Sequence, residues 1–384
     1  MSKKKASAYM IFVSEWQSRS GETNIDKAVK MAAKDWEALD DRAKEEYKLE
    51  AKIRNSGLRG RVLDILPPAQ QEIKERIGKK EAGIDDATRM TMIEDFCSRP
   101  LDEIVNTDFY VVNFNVAVKT KQNAYIPIEV GIVKFSLKEG IQDSYHEFID
   151  GGKTPIGHGY EVKEHMERVH KLPLYDISEY PVTEMAATET QEEHVASLEN
   201  SIAAFNAFVQ AERLPVPEGT DTKRKYVQPL FTLPDLDGLG LTQTSGCLKR
   251  MATEVEQVGF YENYEVLDLT YLMFCLYKRV VGKARPMALC MDDFYRVIHS
   301  YEPNTNCEYH DTTDTPHCAL SRSYRFSYVF LDVLIPVFHI EVTPAHRPKP
   351  NPKVEECFLA PMEPRYQVAS SSRSRINGRN WSEL

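Results

Sequence analysis

Cysteine and histidine side chains are concentrated in one short stretch, NCEYHDTTDTPHC, which covers residues 306–318. The chain has only 10 histidines and 7 cysteines in 384 residues, and this stretch holds four of them: Cys307, His310, His317 and Cys318. Thiolate sulfur and imidazole nitrogen are ligands that tetrahedral zinc prefers, and a Cys-x2-His spacing lets two side chains converge on one side of a turn. The spacing therefore indicates a zinc site, although Asp311 and Asp314 leave a solvated loop as an alternative.

The charge of the chain is unevenly distributed. Its formal net charge is −10, but residues 1–60 carry 13 basic and 10 acidic side chains, whereas the remainder carries 35 and 48. A mildly basic N-terminal part is therefore joined to an acidic body. This asymmetry is compatible with a small nucleic-acid-binding module in front of a larger domain.

Neither membrane insertion nor export is expected. The sequence has no run of about 18 apolar residues. Its N-terminal segment, MSKKKASAYMIFVSEW, lacks the long apolar core and the cleavage site of a secretory signal. The seven cysteines are odd in number and scattered, so we expect a reducing compartment and no disulfide framework.

Apolar periodicity predicts two domains, one all-α and one α/β. Three amphipathic helices fit into residues 6–54, and Asn24 is placed to cap the second of them. The predicted organisation is an all-α module over 2–56, a charged and partly helical linker over 57–104, an α/β domain over 105–341 and a disordered tail over 342–384.

In the larger domain, strands come first and then alternate with helices, which is typical of an α/β fold. The segments FYVVNFNVAV (109–118) and IPIEVGIVKF (126–135) are rich in β-branched and aromatic residues and predict two strands. A third strand is expected to end at 146–149 and a fourth to span 225–233. Helices are predicted near 193–212, 246–257, 268–281, 291–301 and 316–332.

The stretch KKKASAYMIFVSEW, with Trp36 and Tyr47 downstream, resembles an HMG box, a three-helix unit that binds the minor groove of DNA. The resemblance implies a basic segment along the phosphates, an apolar wedge at Met10 and an aromatic corner between helices. Ser7 stands where sequence-specific boxes usually carry Asn, which implies that DNA or structured RNA is bound by shape. The residues expected to contact nucleic acid are Lys3, Lys4, Lys5, Ser7, Tyr9 and Met10.

The two predicted strands over 109–135 resemble the start of a DnaQ-type 3′–5′ exonuclease, which has an RNase H-like fold. That family carries an Asp-x-Glu pair on its first strand, where both carboxylates share one face and hold two Mg²⁺ ions. Here two asparagines stand at those positions, and the HCALSR segment has an arginine in place of the last Asp. The resemblance thus implies a degenerate site with no catalytic Mg²⁺ and no exonuclease activity of this type. The degenerate positions are Asn113, Asn115, Asp235, His317 and Arg322.

Glu129, on the predicted second strand, adds a fourth donor to the cysteine and histidine stretch. Together with Cys307, His310 and Cys318 it gives a Glu-Cys-His-Cys set. Four protein ligands leave no open coordination position, so we expect one structural zinc ion that pins the last helix onto the second strand. His317 stays open as an alternative to His310 or Cys318, although two adjacent ligands on one ion would be strained.

An HMG box followed by a degenerate DnaQ-like domain with this donor set resembles the Maelstrom family over roughly residues 3–340. The resemblance implies a germline factor of piRNA-mediated transposon silencing, with other piRNA-pathway proteins as partners. It also implies a location in the nucleus and the cytoplasm, including perinuclear nuage granules, and no membrane association. Binding of single-stranded RNA by the α/β domain is implied as well, and RNA cleavage without the exonuclease carboxylates is left open.

Basic side chains are the candidates for RNA contact in the α/β domain. Those singled out are Lys223, Arg224, Lys225, Arg322 and Arg325, with Tyr226 close enough in sequence to stack on a base. Each basic cluster could equally be an ordinary solvated surface. The alternative function is a non-enzymatic adaptor that keeps the nuclease fold as a protein-binding surface. No catalytic residue is assigned from the sequence.

Overall fold

A computed structural model describes most of the chain up to residue 348. The described residues are 7–20, 24–39, 44, 47–48, 51, 68–120, 124–152, 154, 158–172, 191–209, 213–220, 223–235, 240–296, 299, 302, 304–313 and 317–348. Lys3, Lys4 and Lys5, and the predicted tail from residue 349 onward, lie outside this part.

The N-terminal module is helical and is held together by aromatic rings. Helix α1 spans Ala8–Ser20 and α2 spans Ile25–Ala38, and Tyr47 and Ala51 are helical further on. Asn24 caps α2, since its Oδ1 accepts a hydrogen bond from Lys27 N at 3.2 Å. The rings of Phe12, Trp36 and Tyr47 lie 5.3–5.6 Å apart by their centroids, so three separate stretches of sequence share one small core.

Three helices follow in the stretch that the sequence indicated as a linker: α3 (Pro68–Gly83), α4 (Asp86–Ser98) and α5 (Leu101–Asn106). Most of their apolar residues are buried, in the cores that flank the sheet. Lys80 of α3 is also buried and donates to the carbonyl oxygens of Tyr261 and Tyr264 at 2.8 and 2.7 Å. The predicted linker over 57–104 is therefore corrected: from Pro68 onward the chain is part of the α/β domain, because its charged residues alternate with a buried apolar face.

The strands of the described residues form one six-stranded sheet. They are β1 (Phe109–Lys119), β2 (Tyr125–Ser136), β3 (Gly140–Phe148), β4 (Leu214–Pro215), β5 (Tyr226–Thr232) and β6 (Tyr264–Asp268). Antiparallel β3, β2 and β1 are followed by β5, which runs parallel to β1 and to β6. β1 lies in the middle and is buried along its length except at Lys119, as expected for a strand covered on both faces.

Helices cover both faces of the sheet. After β3 come α6 (Gly159–Glu164), a π-helical turn (His165–His170) and α7 (Gln191–Phe208); after β5 come α8 (Leu241–Glu254) and α9 (Val258–Asn263). β6 is followed by α10 (Leu269–Val281), α11 (Met287–Tyr295), α12 (Glu308–Thr313) and α13 (Ala319–Phe338). One apolar core packs α7, α8 and α9 against the sheet and another packs α4, α10 and α13. The expected mixed α/β architecture is confirmed.

The end of the described chain is ordered, which corrects the start of the predicted tail at residue 342. Pro344–His346 form a short 3-10 turn, and His346 is buried with its Nε2 3.0 Å from the carbonyl oxygen of Leu137. Gly140, at φ +76°, allows this close approach, since a Cβ there would lie 2.6 Å from the backbone of Ala345. Among the helices of the described residues, none is both long and apolar enough to cross a membrane.

Candidate metal centre and degenerate nuclease site

The predicted zinc ligands are brought together by three elements. Glu129 lies on β2 directly opposite Asn115 of β1. Cys307 precedes α12, His310 lies within it, and Cys318 is the residue immediately before α13. Gly131 permits this arrangement, because a Cβ at that position would lie 2.2 Å from the backbone nitrogen of Leu320. The start of α13 thus rests directly on the backbone of β2.

The donor atoms of this group lie within 4.8 Å of one another. Cys307 Sγ is 3.2 Å from His310 Nδ1, and Glu129 Oε1 is 3.3 Å from His310 Nδ1 and 3.4 Å from Cys318 Sγ. The other ring nitrogen of His310 lies 3.2 Å from the carbonyl oxygen of His170. A hydrogen bond from Nε2 to that carbonyl leaves the lone pair of Nδ1 facing the group, the usual second-shell arrangement for a metal-bound histidine.

His146 is a fifth member of the group that the sequence did not indicate. It lies on β3, and its Nε2 is 2.9 Å from Glu129 Oε1. Glu129 pairs with Phe148 across β2 and β3, so His146, two residues away, projects from the same face of the sheet. At this distance His146 is placed to fix the carboxylate of Glu129 by a hydrogen bond.

The electrostatics of the buried group favour an ionised Glu129 beside a protonated His310 and a protonated Cys318 thiol, so binding of zinc would release protons from the imidazole and the thiol. Burial alone would raise the pKa of Glu129, but hydrogen bonds with His146 and His310 hold that pKa well below its usual value. Burial opposes a charge on His310 too, yet Cys318 and Glu129 raise its pKa to about 10. Burial raises the pKa of the Cys318 thiol. Two sulfurs, an imidazole and an ionised carboxylate fit zinc by type and number.

The degenerate exonuclease positions form a polar network beside this group. Asn115 Nδ2 donates to Glu129 Oε2 at 2.5 Å and also to the carbonyl oxygen of His317. Its Oδ1 accepts from Arg322 Nη2 at 3.2 Å. Asn113 is buried and donates to Ser323 Oγ at 2.9 Å. The two amides therefore bond β1 to α13.

The side chains of two further predicted positions lie outside the donor group. Asp235 is exposed, and both its carboxylate oxygens accept from Thr242 N at 3.0 Å, near the start of α8. The ring of His317 is exposed and is not part of the donor group. Geometry therefore groups His310 and Cys318, not His317, with Glu129.

The predicted nucleic-acid-binding residues divide into exposed side chains and side chains engaged within the fold. Met10, Lys223 and Lys225 are exposed. The hydroxyl of Tyr9 donates to Val29 O, and Ser7 Oγ accepts from Met10 N as the cap of α1.

Two of the predicted arginines also bond within the fold. Arg224 donates to the carbonyl oxygen of Glu262 at 3.0 Å, and Arg325 donates to those of Phe294 and Arg296 at 2.8 and 2.7 Å. Both arginines are partly buried, and their guanidinium groups donate to backbone carbonyl oxygens. The basic clusters in the sequence did not indicate these hydrogen bonds.

Comparison with known proteins identifies one family. The model of the Maelstrom family, described as a piRNA pathway germ-plasm component, matches residues 119–353. Similar proteins include protein maelstrom 1 of Drosophila ananassae, 28% identical over 92% of this chain and 81% of the relative. Protein maelstrom of Drosophila melanogaster is 24% identical over 98% and 76%. The maelstrom homolog of Xenopus tropicalis is 25% identical over 67% and 58%.

Proposed function

Because the chain belongs to the Maelstrom family, we propose that it is a nucleic-acid-binding factor of germline piRNA-mediated transposon silencing. Membership makes it a component of the piRNA pathway, and the activities below are our proposal. We assign it to the nucleus and the cytoplasm, including perinuclear nuage, with other piRNA-pathway proteins as partners. Its domains are an HMG box over 2–56 and a Maelstrom domain of RNase H-like fold that begins near residue 68 and ends near 348.

The Maelstrom domain holds one structural zinc ion through Glu129, Cys307, His310 and Cys318. The convergence of these donors within 4.8 Å supports this assignment. When bound, zinc would join β2, α12 and the start of α13 into one unit. It would have no open position for substrate, so this chain's own side chains would carry any chemistry on RNA.

The domain binds single-stranded RNA and is a candidate for cleaving it without a two-metal mechanism. The observation that carries this proposal is the exchange at the nuclease position: Asn115 and Arg322 form a hydrogen-bonded pair where carboxylates would hold Mg²⁺. Neutral and cationic groups cannot neutralise metal ions, but they can donate hydrogen bonds to a phosphate. The exposed Lys223, Lys225 and Tyr226 supply further groups that suit a nucleic-acid strand.

The HMG box binds DNA or structured RNA without sequence specificity. Met10 remains 39% exposed on α1, although the neighbouring Ile11, Phe12 and Val13 are buried. An exposed apolar side chain beside a rigid helical core suits a wedge that enters a base step. Ser7, Tyr9 and the basic segment Lys3, Lys4 and Lys5 would flank the wedge.

To test the RNA activity, full-length protein is mixed with end-labelled single-stranded RNA in Mg²⁺-free buffer that contains EDTA. The zinc content of the protein is monitored throughout. We expect binding, and any cleavage should give internal cuts. Both should weaken in Lys223→Glu/Lys225→Glu and not in the control Lys278→Glu/Lys283→Glu, whose lysines are also exposed. If the protein neither binds nor cleaves the RNA, the result would favour the adaptor function instead. Shortening from the 3′ end that requires Mg²⁺ would contradict the proposed loss of two-metal chemistry.

A further inference from the structure

Three histidines lie together beside the network of Asn115, and two of them come from the π-helical turn. In a π-helix, residues five apart are hydrogen-bonded neighbours, and such turns are frequent at functional sites. His165 and His170 stand at the two ends of this turn, with ring centroids 5.0 Å apart. The ring of His317, from the loop before α13, lies 6.4 Å from that of His170.

The second half of β1 holds this cluster in place. His165 Nδ1 is 3.1 Å from the carbonyl oxygen of Val116, so a hydrogen bond there leaves Nε2 for another partner. The neighbouring Asn115 binds the backbone of His317 on one side and the guanidinium of Arg322 on the other. The imidazole of His165, the backbone of His317 and the guanidinium of Arg322 thus contact two consecutive residues of one buried strand.

His170 gives an independent indication of a ligand. It is only 4% exposed, and neither of its ring nitrogens has a hydrogen-bond partner among the described residues. A buried polar group without a partner is costly and calls for an explanation such as an unseen water or ion. The ring faces the other two histidines, so a molecule bound among them could satisfy it directly or through water.

The charged groups nearby determine whether that molecule is an anion or a cation. Arg322 is a permanent cation, and it would repel a metal ion at this position. The nearest carboxylate, Glu129, is already bound to His146, His310, Asn115 and the backbone nitrogen of Ala319. An anion that accepts several hydrogen bonds therefore suits the cluster, and a phosphate oxygen is such an acceptor.

We propose that His165, His317 and Arg322, backed by His170, form a binding site for one phosphodiester of a single-stranded nucleic acid. The proposal rests on the RNA-binding function above and specifies where one phosphate is held. The resemblance to exonucleases implies that metal ions would bind the same group near the position of Asn115 in those enzymes. Here side-chain donors take over that role.

The test uses full-length protein, a fluorescein-labelled single-stranded RNA 20-mer and the DNA oligonucleotide of equal sequence. His165→Asn is the sharpest variant, because an Asn amide can keep the bond to Val116 while Nε2 is removed. His317→Asn is paired with His339→Asn as its control. His339 is exposed just past the far end of α13, roughly 30 Å away for a helix of 20 residues.

We expect His165→Asn, His317→Asn and Arg322→Gln each to weaken binding about tenfold, with partial recovery in Arg322→Lys. In Arg322→Gln, which removes a cation, the plot of log Kd against log salt should also become shallower, by about 0.7 for the lost phosphate contact. His339→Asn should match wild type. Equal effects with RNA and DNA would identify the phosphodiester alone, whereas a loss confined to RNA would add the 2′-hydroxyl to the site.

Zinc content and thermal midpoints confirm that each variant is folded, and inorganic phosphate provides a second probe. Phosphate should shift the imidazole NMR signals of wild type and compete with RNA. If RNA binds but the cluster variants bind it as wild type does, the inference is wrong and the proposed function stands. If wild type binds no RNA, the proposed function fails, and the absence of a phosphate shift would then overturn the site as well. A second bound metal ion lost in His165→Asn would also overturn it.

Discussion

Glu129 belongs to the candidate metal site and also bonds to the neighbouring polar network of Asn115. On β2, Glu129 lies opposite Asn115 of β1 and accepts hydrogen bonds from that amide and from the backbone of Ala319. Its other contacts are with His146, His310 and Cys318. A buried carboxylate requires several donors or a cation to remain ionised. The arrangement meets that requirement, and the Asn115 amide is part of it, because it donates to Glu129 and accepts from Arg322.

Replacing one sulfur tests the metal assignment. We expect Cys307→Ser to reduce bound zinc from one ion per chain to nearly none. The thermal midpoint should fall by about 10 °C, because a structural zinc ion contributes directly to folding. Elemental analysis and calorimetry measure both. Cys275→Ser, a half-buried cysteine outside the donor group, is the control and should keep its zinc. An equimolar zinc content in Cys307→Ser would exclude this ligand set.

Because Lys80 is buried, we expect the free energy of unfolding of the protein to rise at alkaline pH. Burial lowers its pKa to about 8, despite the nearby carboxylate of Glu265, from 10.5 in the unfolded chain. Unfolding therefore takes up a proton between these values, and the free energy of unfolding rises with pH across that window. Relative to Lys80→Met, wild type should gain roughly 3 kcal/mol between pH 8 and 10.5.

Urea titrations at several pH values measure this difference. Lys79→Met is the control, since Lys79 lies on the exposed side of α3 and should follow wild type. A constant difference between wild type and Lys80→Met would show that Lys80 does not lose its proton in this range.

At the scale of elements, strand register decides which side chains reach the site. The hairpin between β2 and β3 pairs Ser136 with Gly140, and extending that pairing unchanged would place Glu147 opposite Glu129. A register shift next to Lys134 moves Phe148 there instead. A slip of one residue turns each side chain to the other face, so the bulge is what directs His146 toward Glu129. The sequence predicted a strand ending near His146 but could not predict this register.

The contact between β2 and α13 should be sensitive to a single methyl group. In Gly131→Ala the new Cβ would meet the backbone of Leu320 at 2.2 Å, and a backbone cannot move as a flexible side chain can. We expect a loss of about 3 kcal/mol in the free energy of unfolding, together with weaker zinc retention because Cys318 would shift. Chemical denaturation and zinc analysis measure these effects.

Gly78→Ala is the matched control for this change. Gly78 lies inside α3 with nothing within 4 Å of an added Cβ, so alanine should stabilise the protein by about 1 kcal/mol. Equal stability of Gly131→Ala and wild type would contradict the close approach of α13 to β2.

At the scale of the whole molecule, the chain before β1 completes the α/β domain. Helices α3, α4 and α5 bury Ile73, Ile77, Ile84, Met92, Ile93, Phe96 and Ile104. At about 1.5–3 kcal/mol for each large side chain, their burial contributes on the order of 10–20 kcal/mol. Ordering the three helices offsets much of this gain, but the net stability of a typical domain is only roughly 5–15 kcal/mol. We therefore expect the sheet and its later helices to be much less stable without these three helices.

Truncation tests this dependence. A fragment of residues 68–348 should unfold cooperatively in urea, whereas 105–348 should show no cooperative transition and should expose apolar surface. Circular dichroism and binding of a hydrophobic dye measure both properties. Full-length protein serves as the reference. A fragment 105–348 that is as stable as 68–348 would restore the original domain boundary.

The N-terminal module offers a separate test of the DNA-binding proposal. Met10→Ala should weaken binding to four-way DNA several-fold and reduce bending, because the wedge would no longer fill a base step. Met31→Ala removes another exposed methionine, from α2, and should bind as wild type does. Mobility-shift assays with four-way and linear DNA compare the two. Equal binding by both variants would remove the wedge assignment.

The sequence by itself determined what is local. Periodicity predicted α1, α2, the long strands β1 and β2 and most later helices, because these patterns depend on neighbouring residues. Donor types and a short spacing singled out Cys307, His310 and Cys318, and the resemblance to a nuclease strand added Glu129. The family itself was identified in this way.

Only the tertiary structure decided what depends on contacts between distant segments. It brought His146 to Glu129 through a bulge, separated His317 from His310 and Cys318, and grouped His165 with Arg322 around β1. The tertiary structure also packs one face of α3, α4 and α5 against the sheet, although the charge of this segment had indicated a linker. The physical reason is that register, close backbone approach and the pairing of buried charges arise between residues far apart in sequence, where no local pattern records them.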